Sequence, residues 1–170
     1  DHYHINLVIN KGYSSTSAMY FASKRLEDAV EQGKDITILY LGDHDPSGLD
    51  MDRDIRDRME VFQIEGLDVR RIGLTMAQVR MLNPPPNPAK ITDPRAEGYI
   101  AEHGNISWEV DALPPEELDR LVRDSIEALT DMDYYNRVIA QEERLKGWLL
   151  NQIEDAEEYT EEVIRNDSET

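Results

Sequence analysis

Residues 36–48 read ITILYLGDHDPSG, and this stretch decides the fold class. Its first six residues are a continuous β-branched and apolar run, the pattern of a strand buried on both faces of a parallel sheet. The DPSG turn breaks the run, and Met51, Ile55, Met59 and Phe62 then mark one face of an amphipathic helix ending near Gly66. Upstream, INLVI (5–9) is a short apolar run followed by the turn-like KGYSSTS. From Thr16 to Gln32, Met19, Ala22, Leu26, Ala29 and Val30 recur at helical spacing, and Gly33 stands where a helix stops. Downstream, DVRRIGL (68–74) reads as a strand, Thr75 as the cap of a short helix through Leu82, and NPPPNP (83–88) as a rigid loop. Residues 94–103 read as a brief helix and ISWEVDAL (106–113) as a strand. Pro115 opens a further helix that ends near Leu129.

Strands alternating with helices predict an α/β domain, doubly wound, with a mostly parallel sheet and helices on both faces. The boundaries expected are 1–113 for this domain and 114–170 for an acidic helical extension. Between Tyr134 and Ile164, Val138, Leu145, Leu149, Ile153, Ala156 and Val163 lie on one stripe amid many charges. Such a helix needs a partner surface, either the domain itself or a second copy met through Leu145, Leu149 and Ile153.

Composition narrows the chemistry. The chain has 170 residues, enough for one domain of ordinary size, and no apolar stretch near the roughly 18 residues of a membrane span. The expectation is a soluble, intracellular (cytoplasmic) domain. The chain opens at Asp1 rather than Met, so a piece of a longer protein is expected as well. The absence of cysteine removes disulfides, thiolate metal sites and cysteine nucleophiles, leaving oxygen ligands that suit Mg²⁺ or Mn²⁺. A formal charge of −18 argues against a general nucleic-acid footprint, because phosphate binding needs clustered Lys and Arg. Residues 116–170 hold 17 Asp and Glu against 6 Lys and Arg, so the acid concentrates in the tail.

In an open parallel sheet, ligands sit outside the carboxyl ends of the strands. The residues there are Asn10-Lys11-Gly12 and Asp43-His44-Asp45. Two carboxylates projecting toward one point repel unless a cation neutralises them, which makes Asp43 and Asp45 a candidate divalent-metal pair. The plainer alternative is a turn in which both aspartates hydrogen-bond backbone amides. His44, between them, points the other way if strand geometry continues, toward the surface or a hydrogen-bonding partner.

The GDHDPSG element, with INLVINKGYSS one strand earlier, resembles the Toprim fold of topoisomerases, bacterial primases and OLD-family nucleases. It is most similar to the Toprim domain of the topoisomerase VI A subunit and its meiotic double-strand-break relatives. The similarity spans roughly Ile5 to Leu113 and includes RIGL and EVDALPP. The resemblance implies a Toprim/Rossmann-like sheet, Mg²⁺ held by a Glu after the first strand and two Asp after the next, and phosphoryl transfer at a DNA backbone phosphate. Asp43 and Asp45 match the pair, whereas Asn10 stands at the family Glu, followed by Lys11 and Gly12. Asn10 is either natural or an engineered replacement of that Glu. An amide can ligate a hard cation but cannot shuttle a proton. Glu109 and Asp111 are compensating candidates, because in SWEVDAL they alternate onto one strand face; a solvated face or salt bridge is their alternative.

Lys90 and Arg95, in AKITDPR with Asp93, are candidate DNA-backbone contacts, or else members of an ion-paired loop. Lys11 is a candidate phosphate contact. DNA is the expected partner, reached through an upstream domain carrying a tyrosine nucleophile or through a water-using nuclease chemistry; Tyr13 and Tyr20 have core or surface explanations. The rivals are a degenerate, non-catalytic Toprim module whose acidic tail binds a partner, and an Asp-dependent phosphatase, which ordinarily carries a Thr pattern where Pro46-Ser47-Gly48 follow here.

Overall fold

A computed structural model describes Tyr3, residues 5–9 and residues 15–168, without the side chains at 162, 163 and 165–168. Two compact units divide the chain, Asp1–Ile126 and Glu127–Thr170.

The first unit is α/β. Helix α1 (Thr16–Glu31) starts where the Ser15 hydroxyl accepts the Ala18 amide at 3.1 Å. Strand β1 (Thr37–Leu41) pairs in parallel with β2 (Asp68–Gly73), and helix α2 (Pro46–Val61) makes the connection between them. Met19 and Ala22 of α1 and Met51, Ile55 and Met59 of α2 enclose one buried cluster with Ile64 and Val69. Ile38 and Tyr40, two residues apart on one face of β1, pack against it. This face is the reason for the apolar periodicities of both helices.

Beyond β2 the chain turns through α3 (Met76–Leu82), opened by a full capping box of Thr75 and Gln78. A small antiparallel pair, β3 (Asn87–Pro88) with β4 (Ile106–Ser107), brackets α4 (Ala96–His103). Helix α5 (Pro115–Glu127) follows, and its Leu118 and Leu121 join Leu74, Val79 and Leu113 in a second cluster. The first unit therefore runs past the boundary expected at 113, because α5 closes this cluster. In the second unit, Asp131 caps α6 (Met132–Ser168), a single helix of 37 residues.

Two expected strands differ. Residues 5–9 have no strand, and Leu7 and Ile9 stay largely exposed. An apolar run becomes a strand only where a neighbouring edge takes up its backbone groups. Among the described residues the strands form two separate two-stranded sheets, the parallel β1–β2 pair and the short antiparallel β3–β4 pair. Of 106–113, only Ile106–Ser107 is strand; Trp108 makes one isolated bridge, and Val110–Ala112 is a 3₁₀ turn. Among the described residues no helix is long and apolar enough to cross a membrane.

Candidate functional site

The aspartate loop lies at the carboxyl end of β1, and its geometry follows from how α2 begins. Asp45 is the N-cap of α2, with Pro46 at the first helical position. Its Oδ1 accepts the Gly48 amide at 2.6 Å and the Ser47 hydroxyl at 3.0 Å. The helix thus starts at Pro46, a full turn earlier than its apolar face suggests; Asp followed by Pro was the available signal. Asp45 is buried, and its Oδ2 meets Lys90 Nζ at 3.4 Å, where the lysine is largely exposed.

Asp43 is held from far along the chain. Its Oδ1 accepts the Val110 amide at 2.9 Å. The His44 amide donates to the Trp108 carbonyl at 2.8 Å, and the Trp108 amide returns to the His44 carbonyl at 3.1 Å. Residues 108–110 therefore strap the loop. The amide bonds of the plainer alternative are present at both aspartates, and each uses Oδ1.

His44 is buried to 2% exposure, so the surface position expected for it is replaced by the hydrogen-bonding one. The Tyr99 hydroxyl lies 3.0 Å from His44 Nδ1 and 2.9 Å from the carbonyls of His44 and Ile106. A phenol has one proton, so Tyr99 donates to one of these three partners, and the direction of its bond with His44 Nδ1 follows the imidazole tautomer. The His103 and Trp108 rings stand edge-on to His44 at centroid distances of 4.8 and 5.7 Å. Burial holds the His44 imidazole below its ordinary pKa, with His103 adding to the effect.

Burial also pushes the Tyr99 phenol up to about 12, with the Asp45 carboxylate acting in the same direction. Since the folded pKa is raised, this stabilisation is complete below the unfolded value near 10 and is lost as pH rises toward 12. The difference in unfolding free energy between the protein and Tyr99→Phe should accordingly be about 1–3 kcal/mol at pH 7, the cost of stranding buried polar groups. It should shrink between pH 10 and pH 12. Urea titrations of both proteins across that range check it, and a pH-independent difference would refute it.

Arg71 is the residue that the sequence reading missed. Its guanidinium donates to the carbonyls of Gly42 at 3.0 Å, Asp43 at 3.3 Å, Gly73 at 3.2 Å and Leu74 at 3.2 Å, and to that of Gly48. It also lies 5.0 Å from the centroid of the Tyr40 ring. A fixed cation thus gathers the carbonyls on both sides of the aspartate pair. Burial lowers the Arg71 pKa from its ordinary value, opposed first by Tyr40. The one signal was a second arginine inside an otherwise apolar strand pattern.

The remaining candidates are dispersed. Lys90 reaches Asp45, whereas Arg95 is engaged by Asp50 at 2.8 Å and Asp93 at 3.4 Å, the ion-paired loop of the alternative reading. Glu109 and Asp111 are exposed, and the 3₁₀ turn removes the shared strand face expected for them. No group of three or more His, Asp or Glu among the described residues is placed to hold a metal ion. Asn10 and Lys11, with Tyr13, His2 and His4, lie outside the described residues. Tyr20 stacks edge-on against Phe62 and Phe21, a packing role.

Compared with protein-family models, curated proteins and solved structures, the chain gives no match.

Proposed function

We propose that this chain is a divalent-cation-binding, Toprim-like domain of a DNA-cleaving or DNA-processing protein, working in the cytoplasm. In this reading the small parallel sheet is the centre of a Toprim/Rossmann-like fold. Asp43 and Asp45 would hold Mg²⁺ or Mn²⁺, and Asn10 takes the place of the family Glu. The observation that carries the reading is that both carboxylates spend Oδ1 on amides of the fold. Asp43 Oδ2 then has no hydrogen bond among the described residues, and Asp45 Oδ2 meets only the exposed Lys90. Hard oxygen donors of this kind suit a hard cation.

A bound cation would supply charge stabilisation at a transferring DNA phosphate. The chain's own residues have separable tasks. Asp45 and Asp43 are oriented by α2 and by the Val110 amide, and Arg71 holds the carbonyls of Gly42, Asp43 and Gly48 around them. Lys90 neutralises Asp45 and is free to turn toward a phosphate, since its side chain is 67% exposed. The nucleophile belongs to a tyrosine of another domain or to water, and DNA is the partner.

Asp45→Asn separates function from folding, because asparagine caps helices as well as aspartate does. Calorimetric titration with Mn²⁺ should show affinity falling at least about tenfold in Asp45→Asn, with the unfolding midpoint nearly unchanged; one lost ligand charge on the scale of 1.4 kcal/mol suffices for that factor. Equal binding by both proteins would end the cation reading.

A second reading, a degenerate Toprim module without turnover, is favoured by one observation. Asp45 already has a lysine counter-ion, and no third acid joins the pair among the described residues. The same titration separates the two, since a degenerate module gives no binding heat in either protein.

A further inference from the structure

Helix α6 (Met132–Ser168) exposes a continuous apolar stripe: Leu145, Leu149 and Ile153, four residues apart, are each more than half exposed, and the exposed Ala156 follows three residues on. A helix with such a stripe is stabilised by burying it against a partner. Which partner fits is decided by charge. Residues 132–150 carry three acids (Asp133, Glu142, Glu143) and three bases (Arg137, Arg144, Lys146). Residues 151–168 carry seven acids and only Arg165.

We propose that α6 pairs with α6 of a second copy of this chain in antiparallel orientation, about a two-fold axis near Asn151. The stripe is self-complementary about that point: Leu149 falls opposite Ile153 of the other copy, and Leu145 opposite Ala156. The flanks match as well. Arg144 and Asp155 lie on one side of the stripe and Lys146 and Glu157 on the other, each pair roughly three helical turns apart. Reversal about Asn151 carries Arg144 to the level of Glu158, three residues (about 4.5 Å) from Asp155, and Lys146 to the level of Ala156, one residue from Glu157, so it joins the acidic half of each helix to the neutral half of its copy. A parallel pair sets acid against acid along the whole C-terminal half, which like-charge repulsion disfavours. The antiparallel arrangement is isologous, so it closes as a dimer.

The chain has no cysteine, which makes the orientation directly readable. Leu145→Cys and Ala156→Cys proteins, full length, are mixed and oxidised. The expected result is a covalent dimer from the mixture and none from Leu145→Cys alone. Self-linking of Leu145→Cys overturns the proposal in favour of a parallel pair. A clean monomer of the unmodified chain in sedimentation at micromolar concentration overturns it altogether. A charge test needs no buried change: the double variant Arg144→Glu, Lys146→Glu should weaken the dimer at least tenfold. Adding Asp155→Lys and Glu157→Lys should restore it, and failure of that restoration counts against the pairing.

Discussion

Replacing Arg71 with methionine should cost about 3–5 kcal/mol of stability and loosen the aspartate loop, the largest effect expected from any single change in the first unit. The guanidinium reaches carbonyls from three places in the chain: Gly42 and Asp43 after β1, Gly48 in the first turn of α2, and Gly73 and Leu74 at the end of β2. Methionine fills similar space but donates nothing. The Gly42 and Gly73 carbonyls keep the amides of Leu74 and Gly42, so the loss falls hardest on Asp43 and Leu74. Lysine should recover only part of the cost, because a compact ammonium cannot spread five donors over a fan of carbonyls. Urea midpoints of the three proteins check the order Arg, Lys, Met. A methionine variant as stable as the original would mean that Arg71 gains nothing from its carbonyls.

Gly48→Ala should be the second large effect, about 3 kcal/mol, at the upper end for overpacking a close contact. A Cβ at this position would stand 2.2 Å from the Asp43 carbonyl oxygen and 3.0 Å from Asp45 Oδ1. The first of these is backbone of the aspartate loop itself and cannot turn aside, so either the loop or the first turn of α2 must move. Both aspartates move with it, and the affinity for Mn²⁺ should fall together with the melting temperature. Gly98, in α4, is the internal control. A Cβ there meets nothing within 4 Å, so Gly98→Ala should gain several tenths of a kcal/mol from helix propensity. If calorimetry ranks Gly48→Ala and Gly98→Ala alike, close approach is not what the glycine at 48 provides.

These two residues mark how far the sequence could be read. The alternation of β1 with α2 and the position of the aspartates were legible, because a continuous apolar run, Asp-Pro and a period near 3.6 are local patterns. The apolar face did not fix the start of α2, because it begins later than the Asp45 cap. Arg71 and Gly48 acquire their roles from carbonyls brought together by folding, and the pair of arginines in the strand pattern does not say which of Arg70 and Arg71 turns inward. The latter is exposed and paired with Asp68 at 2.6 Å.

By itself, the sequence determined the α/β class, the parallel β1–α2–β2 unit, the aspartate pair at its carboxyl end and the long acidic helix with its apolar stripe. The tertiary structure decided what surrounds the pair. Asp43 takes the amide of Val110, 67 residues away; His44 takes the hydroxyl of Tyr99, 55 residues away; Asp45 takes Lys90. It also decided that Glu109 and Asp111 enter a 3₁₀ turn and that residues 5–9 have no strand. The physical reason is the same throughout. Helix starts and buried strands are set by neighbours a few residues apart, whereas the partner of a carboxylate, and the edge that turns an apolar run into a strand, are set by segments distant in sequence and adjacent only after folding.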